Sequence, residues 1–145
     1  KERKEKNPCS LCAKMRKGAL NSKVEELGCN KIALGHNRDD VIETFLMSLF
    51  YEGRIYCFSP YTYLSRRKIA SIRPLIYVPE KDVIGFARRE ELPVVKNKCP
   101  ADGNTAREDV KIMMKELALK YDHFEDRTFN AIKRSYIDGW KVEDK

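Results

Sequence analysis

The 145-residue sequence contains no apolar run approaching the roughly 20 residues that cross a bilayer, and its longer hydrophobic stretches are broken by charge. The expectation is a protein with no membrane-spanning segment. No apolar stretch follows the basic N-terminus, so nothing marks a secretory signal. The cysteines are odd in number, five, which without such a signal argues against a disulfide framework and for a reducing, cytoplasmic setting. There is no internal repeat and no low-complexity segment beyond a Lys/Glu leader over residues 1–9. The chain also begins with Lys1 rather than Met, which suggests trimming or a piece of something longer.

What is present is a composition able to build a core. Hydrophobic residues make up 42% and recur in blocks, so the 35% charged fraction does not place the chain among disordered tails. The formal net charge is +7, and residues 1–23 carry most of the excess, with eight Lys/Arg against only Glu2 and Glu5. Such a segment favours a polyanion, because each phosphate contact releases counterions. A frayed, solvated terminus is the plain alternative. Arg66, Arg67 and Lys68 form a second basic cluster in a loop, and Lys111 and Lys115 read as merely solvated.

Apolar spacing and turn chemistry divide the chain into alternating elements. Residues 10 to about 27 read as a helix with Leu11, Met15, Leu20, Val24 and Leu27 near one face, stopped by Gly28. Residues 31–35 (KIALG) read as a buried parallel strand, and residues 39–52 as a buried helix. Residues 53–68 form an irregular excursion or short hairpin, residues 69–76 a strand ending near Pro74, and Pro79 opens a helix to about residue 91. A short strand over residues 93–95, a loop around Cys99 and two helices over about 104–121 and 124–137 complete the chain. Trp140 is expected to pin the last segment. The class is α/β, with functional groups in loops after the strands.

Chemistry concentrates at two places. Cys9 and Cys12 form Cys-Ser-Leu-Cys, a spacing that brings two thiolates to one metal or makes a redox pair, although no second CxxC or His-x-His supplies a fourth ligand. Cys99 sits among loop formers, whereas Cys29 and Cys57 read as buried hydrophobes. The other place is LGHNRDDVIET at residues 34–44, where Gly35 permits close backbone approach and a helix N-terminus offers unpaired N–H groups to phosphate. His36 can bond a base, sugar or phosphate, and Asp39 with Asp40 can bind Mg²⁺ or orient a substrate group. Capping of the helix is the alternative use of those aspartates.

The stretches LGHNRDDVIETFLMSLFYEG, CSLCAKMRKGALN and IRPLIYVPEKDVIGFARREELPVV, over roughly residues 8–121, resemble the tRNA 2-thiocytidine synthetase group of the PP-loop ATPases. The resemblance implies an adenine nucleotide alpha hydrolase-like fold, a partial Rossmann-like parallel sheet flanked by helices over residues 10–103, with a C-terminal helical segment over 104–145. It implies adenylation of a tRNA base with ATP and Mg²⁺, followed by replacement of the activated oxygen by sulfur from a persulfide or sulfide source. A [4Fe–4S] cluster would be held by Cys9, Cys12 and Cys99, with Lys96 standing where the family often has a fourth cysteine. Asp40 matches the catalytic aspartate, Arg16 the place of a basic catalytic residue, and Gly35, His36 and Asp39 the nucleotide side. Arg73 and Pro74 match an Arg-Pro-Leu strand. Arg16, Lys17, Arg66 and Arg67 are the candidate tRNA contacts, with Tyr56, Phe58, Tyr61 and Tyr63 available for stacking, and a homodimer is the expected assembly.

The family's Ser-Gly-Gly-x-Asp-Ser phosphate loop has no counterpart, since none of the seven glycines are adjacent. The sequence therefore resembles the C-terminal half to two-thirds of such an enzyme, inactive in adenylation by itself. A lysidine-forming ligase, which needs no cluster cysteines, is one alternative. A zinc-stabilised nucleic-acid-binding module and an inert α/β remnant are the others.

Overall fold

The computed structural model describes residues 8–95 and 105–140, with side chains from residue 10 onward. These residues form two compact units, each assembled from separate stretches of chain. No helix among them is long and apolar enough to cross a membrane.

The first unit joins the chain up to Leu34 with Tyr61–Ile72. Helix α1 (Pro8–Glu26) begins on a proline, whose missing N–H is no loss in a first turn. It precedes strand β1 (Lys31–Ala33), and the hairpin of β2 (Tyr61–Leu64) and β3 (Ile69–Ile72) completes the unit. The sheet order is β1-β3-β2. β1 runs parallel to β3, pairing Ile32 with Ser71, as the βα reading anticipates, but it is not the buried strand expected: Lys31 and Ala33 are exposed and Ile32 is half-buried. β2 runs antiparallel to β3, pairing Tyr63 with Ala70, so the sheet is mixed rather than wholly parallel. The reason is local. The Arg67 N–H donates to Leu64 O at 3.0 Å, and Lys68 takes a left-handed φ of 53°, closing a tight turn between neighbouring strands.

Helix α1 departs from its expected apolar stripe. Met15, Leu20 and Leu27 are exposed, while Asn21 is only 8% exposed. Residues 93–95 form no strand, and Val94 and Val95 remain exposed with no strand pairing. Two β-branched residues after a proline supply β propensity but too short a ladder to hold it.

The second unit is helical: α2 (Arg38–Glu52), α3 (Glu80–Arg89), α4 (Ala106–Lys120) and α5 (Phe124–Lys133). Val41, Ile42 and Leu46 of α2 pack with Val110 and Met114 of α4 and Phe129 and Ile132 of α5. Each such buried aliphatic side chain contributes about 1.5–3 kcal/mol relative to exposure. Trp140 pins the chain as anticipated, its indole N–H donating to Phe58 O at 3.0 Å and its ring meeting Phe129 edge-on at 5.6 Å. Thr105 caps α4 by accepting from the Glu108 N–H, and Gly53 ends α2 in a left-handed conformation.

Candidate functional site

The segment from Gly35 to Glu43 is built around the start of α2. Asn37 occupies the N-cap: its Oδ1 accepts from the Asp40 N–H at 3.1 Å, and Asp40 Oδ2 accepts from the Asn37 N–H at 2.9 Å. Two of the helix's orphan donors are thus satisfied reciprocally. Asp39 turns elsewhere, its Oδ2 accepting from the Glu80 N–H at 2.7 Å and so capping α3. Both aspartates therefore carry a capping bond, and one oxygen of each is committed to it. The Asp40 Oδ1 lies 3.7 Å from the Arg107 guanidinium.

His36 stacks on Phe58 with ring centroids 4.7 Å apart, and the Arg73 guanidinium covers the same phenyl ring at 4.9 Å. Arg73 also donates to Ser59 O at 2.6 Å, which fixes it as one wall of this stack. Burial lowers the His36 pKa below its ordinary 6.5, aided by Arg73 and Arg107 and opposed by Asp40. The imidazole is neutral near pH 7, with one donor and one acceptor nitrogen. Its Nδ1 is buried with no partner among the described residues. At Gly35 an added Cβ would meet no atom within 4 Å, so the chain's own packing does not demand a glycine there.

An ionic network behind Asp40 was not legible as such. The Glu43 side chain is 3% exposed, and its carboxylate accepts from Arg107 at 2.6 Å and faces Lys111 at 3.5 Å. Lys111, read from sequence as solvated, also reaches Glu80 at 3.3 Å. Burial raises the Glu43 pKa, with the Arg107 bond working against that rise. Burial opposes the charge on Lys111, but Glu43 and Glu80 outweigh it and raise its pKa. The available signal was an acid inside the apolar run VIETF, where an unpaired carboxylate would be costly. Arg38 pairs with Asp126.

In the other unit, Lys17, Arg66 and Arg67 line one cleft with Asn21 and Tyr63. Arg16, one position from Lys17, is exposed on α1 and does not line it. Cys12 lies one helical turn after Cys9 in α1 and its side chain is exposed. The side chain of Cys9, together with Lys96 and Cys99, lies outside the described residues. Among the described residues no group of three or more His, Cys, Asp or Glu is placed to hold a metal ion. Cys57 is buried as expected, whereas Cys29 is exposed, its thiol facing Leu27 O at 3.8 Å.

A family model described as a PP-loop domain matches residues 6–117. The chain belongs to the PP-loop family. A tRNA-cytidine(32) 2-sulfurtransferase of Paracidovorax citrulli is 36% identical over 129 residues, covering 88% of this PP-loop chain and 42% of the relative. The enzyme of the same name from Bordetella pertussis is 39% identical over 130 residues, covering 89% and 41%. This chain thus spans about two-fifths of the length of these curated relatives. Among solved structures, the U34-tRNA thiolase NcsA from Methanococcus maripaludis, with its [4Fe-4S] cluster, matches with a TM-score of 0.70. The identity is 27%, over 90% of this chain and 44% of that one.

Proposed function

We propose that this chain is part of an ATP-dependent tRNA thiolase that replaces the 2-oxygen of a cytidine by sulfur. The observation that carries the reading is the segment after β1, where a neutral His36 stands on Phe58 beside an Asp40 fixed by its capping box. The chain's similarity to tRNA-cytidine(32) 2-sulfurtransferases supports the substrate, and the capping bonds of Asp39 and Asp40 leave carboxylate lone pairs for a ligand.

In this reading the base oxygen is joined to AMP with release of pyrophosphate, and sulfur then displaces AMP. Gly35 and His36 face the nucleotide, and Asp39 and Asp40 carry its Mg²⁺, with Asp40 as catalytic residue. Arg16 holds developing negative charge; an arginine is poorly suited to exchange a proton near neutral pH. Cys9, Cys12 and Cys99 would hold a [4Fe–4S] cluster, which would supply an open iron to bind sulfur. Three soft thiolates suit that group, and the exposed Cys12 fits it. Arg16, Lys17, Arg66 and Arg67 contact tRNA.

The decisive experiment is anaerobic purification of this chain, followed by iron, labile sulfide and zinc analysis. About four iron and four sulfide per chain are expected, lost in Cys12→Ser. Stoichiometric zinc without sulfide would overturn the reading in favour of a non-catalytic module. Because the sequence has no Ser-Gly-Gly-x-Asp-Ser loop, the chain alone is expected to show no ATP–pyrophosphate exchange.

A further inference from the structure

The cleft between α1 and the β2–β3 turn is more than a basic patch. Its volume is about 320 Å³, and it is lined by Lys17, Asn21, Tyr63, Ser65, Arg66 and Arg67, with Leu64. That volume lies at the small end of the roughly 300–1,000 Å³ of ligand sites, enough for about one nucleotide. Lys17, Asn21 and Glu25 follow at intervals of four on α1 and so share a face. Three cations meet there with one acid nearby. That acid, Glu25, pairs with Arg67 at 2.9 Å, both side chains being some two-fifths exposed. A surface pair of this kind is weak and leaves Arg67 able to exchange partners.

Asn21 is the unusual member. It is only 8% exposed, lines the cleft, and makes no side-chain hydrogen bond among the described residues. Its amide atoms are not among the buried side-chain atoms left without a partner, so they meet solvent through the cleft, where a ligand that supplies both a donor and an acceptor can replace water. Tyr63, by contrast, is 55% exposed and presents a ring at the rim. Cations for a phosphodiester, an aromatic face and a dipolar amide are the three elements with which proteins hold an unstacked ribonucleotide.

We infer that this cleft binds a single-stranded RNA nucleotide, its phosphate on Lys17, Arg66 and Arg67, its base against Tyr63, and a base edge or ribose hydroxyl on Asn21. The inference deepens the thiolase reading by giving the RNA a subsite and by naming a residue that reads rather than merely attracts it. A duplex does not fit the arrangement, because its bases are stacked away from any side-chain ring.

The test uses the 145-residue chain and fluorescence anisotropy with a short single-stranded RNA, the DNA of the same sequence and the RNA duplex, across a salt series. Single-stranded RNA should bind most tightly. Arg66→Gln should lower the slope of log affinity against log salt by about 0.7, the value for one phosphate on a single strand. Tyr63→Leu should weaken binding roughly tenfold, as loss of one stacked base does. Asn21→Ala should weaken RNA several-fold with the salt slope unchanged, and should narrow the preference for RNA over DNA. Circular dichroism confirms folding, and the exposed Tyr63 position keeps the test open if Asn21→Ala does not fold. Equal affinity for all three nucleic acids, indifference to both Asn21→Ala and Tyr63→Leu, or full displacement of RNA by ATP would overturn the assignment. The two readings fail separately: RNA binding through this cleft by a protein without iron and sulfide retires only the thiolase, and a cluster-bearing protein indifferent to the cleft variants retires only the subsite.

Discussion

His36 and Cys57 show how the same physical cause, burial, tunes two different groups. The His36 pKa lies below 6.5 in the folded protein, so between that lower value and 6.5 the unfolded chain binds the extra proton. Stability contributed by His36 is therefore present above pH 6.5 and is lost as pH falls through that window. Urea denaturation at a series of pH values should show this loss, and His36→Phe should flatten it. Burial pushes the Cys57 thiol up to about 11, a Trp140 bond opposing the rise. Cys57 should stay unreactive to a thiol reagent at pH 8 until the protein is denatured, whereas exposed Cys29 reacts in the native state. Sequence alone paired Cys29 with Cys57 as buried, since both lie beside apolar neighbours. What separates them is tertiary: Cys57 joins the core of the helical unit, and Cys29 lies in the turn after α1.

At the scale of elements, the helices of the second unit were legible because apolar positions repeat every three or four residues, and α2 and α4 also open on the capping residues Asn37 and Thr105. Val110 with Met114, and Phe129 with Ile132, fell on the faces the periodicity indicated. The stripe on α1 misled because Met15, Leu20 and Leu27 compete with the Lys17, Asn21 and Glu25 row, and hydropathy cannot see a turn that offers arginines to the latter. The Asp39 and Asp40 pair was legible as a helix start, but its division between two helices depends on Glu80, 41 residues from Asp39. Asn37→Ala removes one half of the α2 capping box and should cost about 1 kcal/mol in urea denaturation. Gly53 and Gly139 provide a sharper comparison, since both have left-handed backbones at φ 62° and 79°. An alanine at Gly53 meets open space, whereas one at Gly139 puts its Cβ 2.2 Å from the Ser59 Cβ. Gly53→Ala should cost roughly 1–2 kcal/mol for the backbone alone, and Gly139→Ala clearly more.

Over the whole molecule, buried apolar side chains are unevenly shared. Among the described residues, eleven of them form the core of the helical unit, while the sheet unit contributes Ile69 and Ala70. Amide hydrogen exchange should accordingly be slowest in the middle of α2, α4 and α5 and faster in β2, an edge strand with one partner in the sheet. Uniform protection across both units would contradict this distribution. The α/β class was legible from alternating patterns, but the two units were not, because each draws on chain segments far apart in sequence. Lys111 has a consequence for how such a molecule responds to mutation. One ammonium group serves Glu43 of α2 and Glu80 of α3 from its seat on α4. Substitutions at the two acids are therefore not independent events: once either is gone, the lysine is free to serve the other more closely. A double-mutant cycle of Glu43→Gln and Glu80→Gln should show a coupling energy above about 0.5 kcal/mol, and Lys111→Met should abolish it.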